Sequence, residues 1–128
     1  MSTFSIAGLQ LELNYSNNLK SVTEAISQTS KRYPWIQMIV VSELAIGGAS
    51  RSQDFSLDNN LEHFQSLAKK LNIWLIPGSF YHHEENQITN IAPVISCNGE
   101  LITLCTKIYP FLPYEKGISG GTESCICL

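Results

Sequence analysis

The sequence predicts an α/β fold, a sheet buried under helices, on three observations. Apolar runs with strand character alternate with two stretches of helical spacing, in the order β-α-β-α-β. An Asn-Gly pair then separates two further apolar runs, the mark of a hairpin added to that repeat. Finally, 44% of the 128 residues are apolar, enough for one domain with a real core.

The elements follow in order. "FSIAGLQLEL", Phe4 to Leu13, alternates as a strand with one covered face does. From Asn17 to Lys31 the residues Leu19, Val22, Ala25 and Ile26 form a helical stripe, with Ser16 available as a cap and Pro34 as a stop. "WIQMIVVSE" is almost continuously apolar, as a strand covered on both faces requires, and Glu43 sits at its C-terminal mouth. Leu57, Leu61, Phe64, Ala68 and Leu71 mark a second helix, and "IWLIPGSFY", residues 73 to 81, a third strand. In "APVISCNGELITLCTK" the Asn98-Gly99 pair suits a two-residue hairpin turn, which places Lys107 at the end of the return strand. Trp35 and Trp74 begin two of these strands and are expected to pack against helices.

Composition excludes several function classes. A net charge of −3 without a Lys/Arg block argues against a nucleic-acid footprint. No window approaches 18 continuous apolar residues and no cleavable leader opens the chain, so the expectation is a cytoplasmic protein without a membrane partner. Charged residues are only 15% of the chain, which leaves surface for more protein to cover. The four cysteines, at 97, 105, 125 and 127, lack paired CxxC spacing and read as reduced thiols.

The sparse charges carry the chemical interest. Glu43, at the mouth of a buried strand, is placed either as a general base or as a cap or ion-pair partner. Lys107 leaves "LITLC" and enters "IYPFLP", a turn expected to hold it among buried aromatic and apolar groups. There it serves either as a fixed cation opposing developing negative charge or as a snorkelling lysine. Pro110 and Pro113 restrict the backbone before Glu115, a geometry able to return that carboxylate towards Lys107.

"FSIAGLQLEL", "VVSELAIGG" and the hairpin entering "TKIYPFLPYEKG" resemble the N-terminal half of the nitrilase, or carbon-nitrogen hydrolase, superfamily. The resemblance implies an αββα four-layer sandwich, present here as an incomplete N-terminal part spanning 1–128. It implies Glu43 as general base, Lys107 as catalytic lysine and Glu115 as supporting glutamate, acting with a cysteine nucleophile on a small amide, N-carbamoyl compound or nitrile. That nucleophile lies further downstream in relatives, so the chain alone is expected to be inactive. The resemblance also implies self-association and no metal or organic cofactor. Ser42 and Tyr109 stand where many relatives have proline and histidine, which leaves the substrate branch open.

Other motifs carry less. Cys125 follows Glu115 too closely to match the family nucleophile, and Cys97 and Cys105 read as small apolar groups or inert thiols. His82, His83, Glu84 and Glu85 are chain neighbours that point to opposite faces of a strand, a poor metal site. His63 reads as a packed or partly exposed helix residue, and "GISGG" as a turn without Walker spacing. Two alternatives to hydrolysis stand beside it: a noncatalytic assembly module of the same fold, and, more weakly, a thiol or metal module built on Cys125 and Cys127.

Overall fold

The computed structural model describes residues 2–15 and 17–124. Its first half is the expected alternation: β1 (Ile6–Leu9), α1 (Leu19–Arg32), β2 (Met38–Val41), α2 (Leu57–Leu71) and β3 (Trp74–Ile76). A short 3₁₀ turn, Gln53–Phe55, precedes α2. The strands β1, β2 and β3 run parallel, joined by the helices as crossovers. The chain then turns antiparallel through β4 (Phe80–Glu84), β5 (Gln87–Ile95) and β6 (Leu101–Thr106), and β7 (Ile118–Ser119) lies parallel to the start of β5. Among the described residues no helix is long and apolar enough to cross a membrane.

Both helices cover one face of the sheet. Val22 and Ile26 of α1 and Phe64, Leu67 and Ala68 of α2 share a core with Ile39 and Val41 of β2 and Leu75 of β3. Period-two alternation sends Met38, Val40, Trp74 and Ile76 to the opposite face, where they are only partly covered. The expectation that β2 is covered on both faces is therefore corrected for the described residues. They supply one helix layer and one sheet layer, with the second sheet face only partly covered.

The ends of α2 follow ordinary capping chemistry. Ser56 caps α2 by accepting from the Asn59 N–H at 3.4 Å, and Asn72 ends the helix in the left-handed conformation. Asn18 is the residue at the start of α1, and the proposed Ser16 cap lies outside the described residues.

Three local differences have physical causes. "IWLIPGSFY" is two strands, because Pro77 has no N–H for a ladder and Gly78 takes φ +99°. A Cβ at Gly78 would stand 2.6 Å from the Ser42 carbonyl oxygen, so only glycine lets β3 and β4 pass this close to the end of β2. The Asn98-Gly99 turn is a three-residue loop closed by Ser96 and Glu100, with Gly99 at φ +82°. A β-bulge between Val94 and Ile95 accompanies it and restores, from Val94–Thr103 onward, the register of a two-residue turn. Lastly, Trp35 lies outside β2 and is 65% exposed with its ring edge against Tyr33, while Trp74 starts β3 on the face away from the helices.

Candidate functional site

The candidate site forms on the sheet face away from the helices, at the C-terminal end of β2. Glu43 is the second residue past β2, and the chain around it is held from several sides. The Ser42 N–H donates to the Leu9 carbonyl at 3.2 Å, and the Leu44 N–H donates to Ser79 Oγ at 3.0 Å. Leu44 adopts φ +53°, a conformation that costs a non-glycine residue about 1–3 kcal/mol. Ala45 and Ile46, both fully buried, hold it there by anchoring the loop in the core. The outcome is a carboxylate aimed across the sheet from a clamped backbone.

Lys107 extends β6 by one residue, its N–H donating to the Asn90 carbonyl at 2.8 Å. The β4–β5 register pairs Tyr81 with Asn90, and the β5–β6 register continues to Lys107. Cross-strand neighbours share a face, so Tyr81, Asn90 and Lys107 stand in a row. Glu115 reaches this row from the loop between β6 and β7. Its N–H donates to the Phe111 carbonyl at 2.9 Å, and its carboxylate accepts the Phe111 N–H at 2.6 Å. The separation between Lys107 and Glu115 is thereby folded into one compact turn, which Arg51 ties down by donating to the Lys116 carbonyl at 2.7 Å.

The three charged residues expected from the sequence meet. Lys107 Nζ donates to Glu43 Oε1 at 2.6 Å and to Glu115 Oε2 at 2.9 Å. Their surroundings differ sharply: the Glu115 side chain is 4% exposed, that of Lys107 29% and that of Glu43 51%. Glu43 is thus not the buried carboxylate anticipated at a strand mouth. The aromatic turn also differs from expectation: Tyr109 is 85% exposed, and Phe111 and Tyr114 are exposed as well. Lys107 is held by carboxylates rather than by aromatic groups.

Two members were missed in the sequence. Asn90 Nδ2 donates to Glu43 Oε1 at 2.8 Å and to Glu115 Oε1 at 3.0 Å, and the Tyr81 hydroxyl donates to Glu115 Oε1 at 3.4 Å. A signal for Asn90 existed: counting back from Lys107 through an Asn98-Gly99 hairpin lands on it, a lone amide within "ITNIAPV".

Burial alone would push the Lys107 pKa down, but hydrogen bonds to Glu43 and Glu115 and their negative charges outweigh it, so the pKa lies above the ordinary 10.5. For Glu115 burial works upward and is outweighed by bonds from Lys107, the Phe111 N–H and Asn90 and by the lysine charge, so its pKa lies below the ordinary 4.5. Burial first, and then the Glu115 charge, raises Tyr81 above 10.0.

The sign of the pH dependence follows. Glu115 contributes stability that is complete above its unfolded pKa and lost as pH falls through its lower folded value. Lys107 contributes stability that is complete below its unfolded pKa and lost as pH rises through its higher folded value. Urea midpoints measured against pH should therefore fall on the acid side, and Glu115→Gln should flatten that limb. An acid limb of unchanged steepness in Glu115→Gln would remove Glu115 as its cause.

An open cleft of about 440 Å³ adjoins the cluster, walled by Val41, Ile76, Gly78 and Ala92 beside Glu43, Asn90 and Lys107. Both bonds to Glu43 fall on Oε1, so Oε2 has no partner among the described residues. Lys107 likewise uses two of its three N–H donors on the glutamates. The arrangement offers a carboxylate oxygen to accept a proton and an ammonium N–H to meet a developing negative charge, side by side.

The remaining sequence candidates lie elsewhere or are inert. His82 pairs with Glu84 at 3.0 Å, and no group of three or more His, Cys, Asp or Glu residues able to hold a metal exists among the described residues. His63 is exposed and meets Thr23 Oγ1 at 2.9 Å. Cys97 is a free, partly buried thiol, whereas Cys105 is disulfide-bonded, which corrects its reading as a reduced thiol. Cys125 and Cys127 lie outside the described residues.

Comparison with known proteins bears on the family and the fold. A family model described as carbon-nitrogen hydrolase matches residues 5–127. A formamidase of Helicobacter acinonychis (strain Sheeba) is 25% identical over 120 residues, covering 87% of this chain and 36% of the relative. Among solved structures, a carbon-nitrogen hydrolase from Helicobacter pylori G27 superposes with a TM-score of 0.77 at 22% identity, over 93% of this chain and 45% of its own. Nit3 of Saccharomyces cerevisiae, a member of branch 10 of the nitrilase superfamily, gives 0.78 at 19% identity, over 95% and 50%. An amidase from Nesterenkonia sp. gives 0.74 at 20% identity, over 94% and 49%. The shared fold is the αββα sandwich, and the chain spans about half the length of these structures.

Proposed function

Since the chain belongs to the carbon-nitrogen hydrolase family, we propose that it forms the N-terminal part of a hydrolase domain acting on non-peptide carbon-nitrogen bonds. The substrate class is a small amide, with N-carbamoyl compounds and nitriles as neighbouring chemistries. The observation that carries this reading is the meeting of Glu43, Lys107 and Glu115 within hydrogen-bond reach beside an open cleft. The solved amidase of Nesterenkonia sp. AN1 adds support by analogy. One mutant of it has been seen in complex with butyramide, and another with the acetamide moiety of fluoroacetamide covalently added to its active-site cysteine.

In this mechanism a cysteine from sequence outside the 128 residues supplies the thiol. Glu43 takes the thiol proton, and the sulfur attacks the carbonyl carbon. The remaining N–H of Lys107 opposes charge on the resulting oxyanion. Glu43 returns the proton to the departing nitrogen, which leaves as ammonia or an amine. The same carboxylate then activates water to hydrolyse the thioester. Glu115 touches neither reacting atom in this scheme; it holds the lysine.

The test is ammonia release from formamide, acetamide, butyramide, simple nitriles and ureido acids, by protein expressed from the continuous coding sequence beyond residue 128. Turnover of a short aliphatic amide that vanishes when the downstream cysteine is replaced is the expected result. No turnover of any member by a folded protein would reject hydrolysis and favour the noncatalytic assembly module.

A further inference from the structure

We propose that Asn90 is a positioning residue, whose carboxamide NH2 group holds the carboxylates of Glu43 and Glu115 in one fixed relation around the Lys107 ammonium. The inference rests on the reading of Glu43 as the base and adds a residue that the motif pattern did not contain.

Geometry carries it. Asn90 is 1% exposed at the centre of β5, between Tyr81 on one neighbouring strand and Lys107 on the other. Its Nδ2 makes two bonds, to Glu43 Oε1 at 2.8 Å and to Glu115 Oε1 at 3.0 Å. An amide NH2 has two hydrogens, so each carboxylate receives one and none remains. Its Oδ1, in contrast, is buried without a hydrogen-bond partner among the described residues. Turning the amide over would bring that oxygen against both carboxylate oxygens, so the network admits one orientation only. A buried acceptor left unpaired opposes folding, and its retention here fits an amide selected for what its nitrogen does.

Charge explains why a neutral donor is needed. Two carboxylates share one ammonium, and each repels the other. The other groups facing the pair are the Tyr81 hydroxyl and, over the Tyr81 ring at 5.7 Å, the Arg51 guanidinium. Neither bonds Glu43. Without Asn90 the deeply held Glu115 keeps its Phe111 N–H and its lysine, while Glu43, half exposed on a loop, keeps the Lys107 bond alone and can pivot about it towards water. The base would then lose its aim, and an oxygen bound to both Lys107 and Asn90 would no longer direct Glu43 Oε2 into the cleft.

The test has an arm that does not need turnover. In the 128-residue chain, the Asn90 side-chain NH2 resonances should shift in Glu43→Gln and again in Glu115→Gln. Resonances unmoved by both substitutions would overturn the proposal, and this arm survives if Asn90→Ala fails to fold. In protein expressed with its downstream sequence, Asn90→Ala should lower kcat/KM about 100-fold, as a misplaced reacting group does. It should also move the acid limb of kcat/KM to higher pH, because the Asn90 bond that helps hold the Glu115 carboxyl below its ordinary value is gone. A merely structural loss reduces the active fraction and leaves the pH profile in place, so a lowered rate with an unmoved limb would also overturn the proposal. If the wild-type protein turns over nothing, the functional reading falls and the resonance arm still decides the role of Asn90.

Discussion

Replacing Lys107 with methionine is expected to destabilise the 128-residue chain by about 3 kcal/mol at pH 7, because it strands a buried carboxylate. The Glu115 side chain is 4% exposed and loses its cationic partner at 2.9 Å. The cost is bounded by the alternative of taking up a proton: from an ordinary carboxyl pKa to pH 7 is about 2.5 units, or roughly 3.4 kcal/mol. The bonds from the Phe111 N–H, Asn90 and Tyr81 persist and pull the loss below that bound. With the lysine gone, burial, the largest single influence on Glu115, is opposed only by the bonds from the Phe111 N–H and Asn90, and the expected result is a folded pKa above the unfolded one. The variant should then gain stability as pH falls from 7 to 5, where the wild type is flat or losing it. Adding Glu115→Gln to Lys107→Met should recover part of the loss, with a coupling of about 1–3 kcal/mol. Urea titrations of the four proteins at two pH values decide the matter. A Lys107→Met chain within about 0.5 kcal/mol of wild type at pH 7 would mean that the ion pair does not hold the turn.

The alternation of strands and helices was legible because it is a local signal. The stripes Leu19–Val22–Ile26 and Leu57–Leu61–Phe64–Ala68 bury one side of each helix, and helical spacing reports one buried side directly. The coverage of β2 was not legible in the same way. A continuous apolar run says that both faces avoid water, but it does not say whether the cover belongs to the same stretch of chain. Met38 and Val40 have no second layer over them among the described residues, although the run reads as fully enclosed. The break at Pro77-Gly78 is visible in composition, but the apolar residues on either side carry the pattern of one strand across it.

The charged members of the site were legible through motif resemblance, and their contact needed three dimensions. Glu43 and Lys107 come together because β2 and β6 flank β3 and β5 in one sheet, an adjacency set by long-range pairing. Asn90 escaped for a different reason. It is uncharged, sits before the portion of β5 that reads as hairpin, and its role depends on the cross-strand register. That register was recoverable, since the bulge at Val94–Ile95 cancels the extra residue of the Ser96–Glu100 loop and leaves Asn90 opposite Lys107. The exposed aromatic turn was misjudged because Tyr109, Phe111 and Tyr114 are apolar in composition, whereas only the Glu115 carboxylate among these side chains turns inward.

Glu43→Gln should separate activity from stability in the opposite sense to Lys107→Met. The Glu43 side chain is 51% exposed, so its ion pair with Lys107 is screened and worth at most about 1 kcal/mol to folding. The amide is nearly isosteric and its oxygen can still accept from Asn90 and Lys107, the contacts that Glu43 Oε1 now makes. What it cannot do is take a proton at the other position, because an NH2 group replaces Oε2. In protein expressed with its downstream sequence, kcat should therefore fall about 10²- to 10⁴-fold, the usual contribution of a positioned base. KM should change little if the base is used in the transition state and not in ground-state binding. The urea midpoint of Glu43→Gln should stay near wild type while turnover collapses; turnover within about tenfold of wild type would remove Glu43 from the base role. The contrast is informative because the two residues share one short hydrogen bond. Glu115 buries the lysine side of the cluster and makes it structural, whereas Glu43 stands at the open cleft with one oxygen uncommitted, where a reacting proton has somewhere to go.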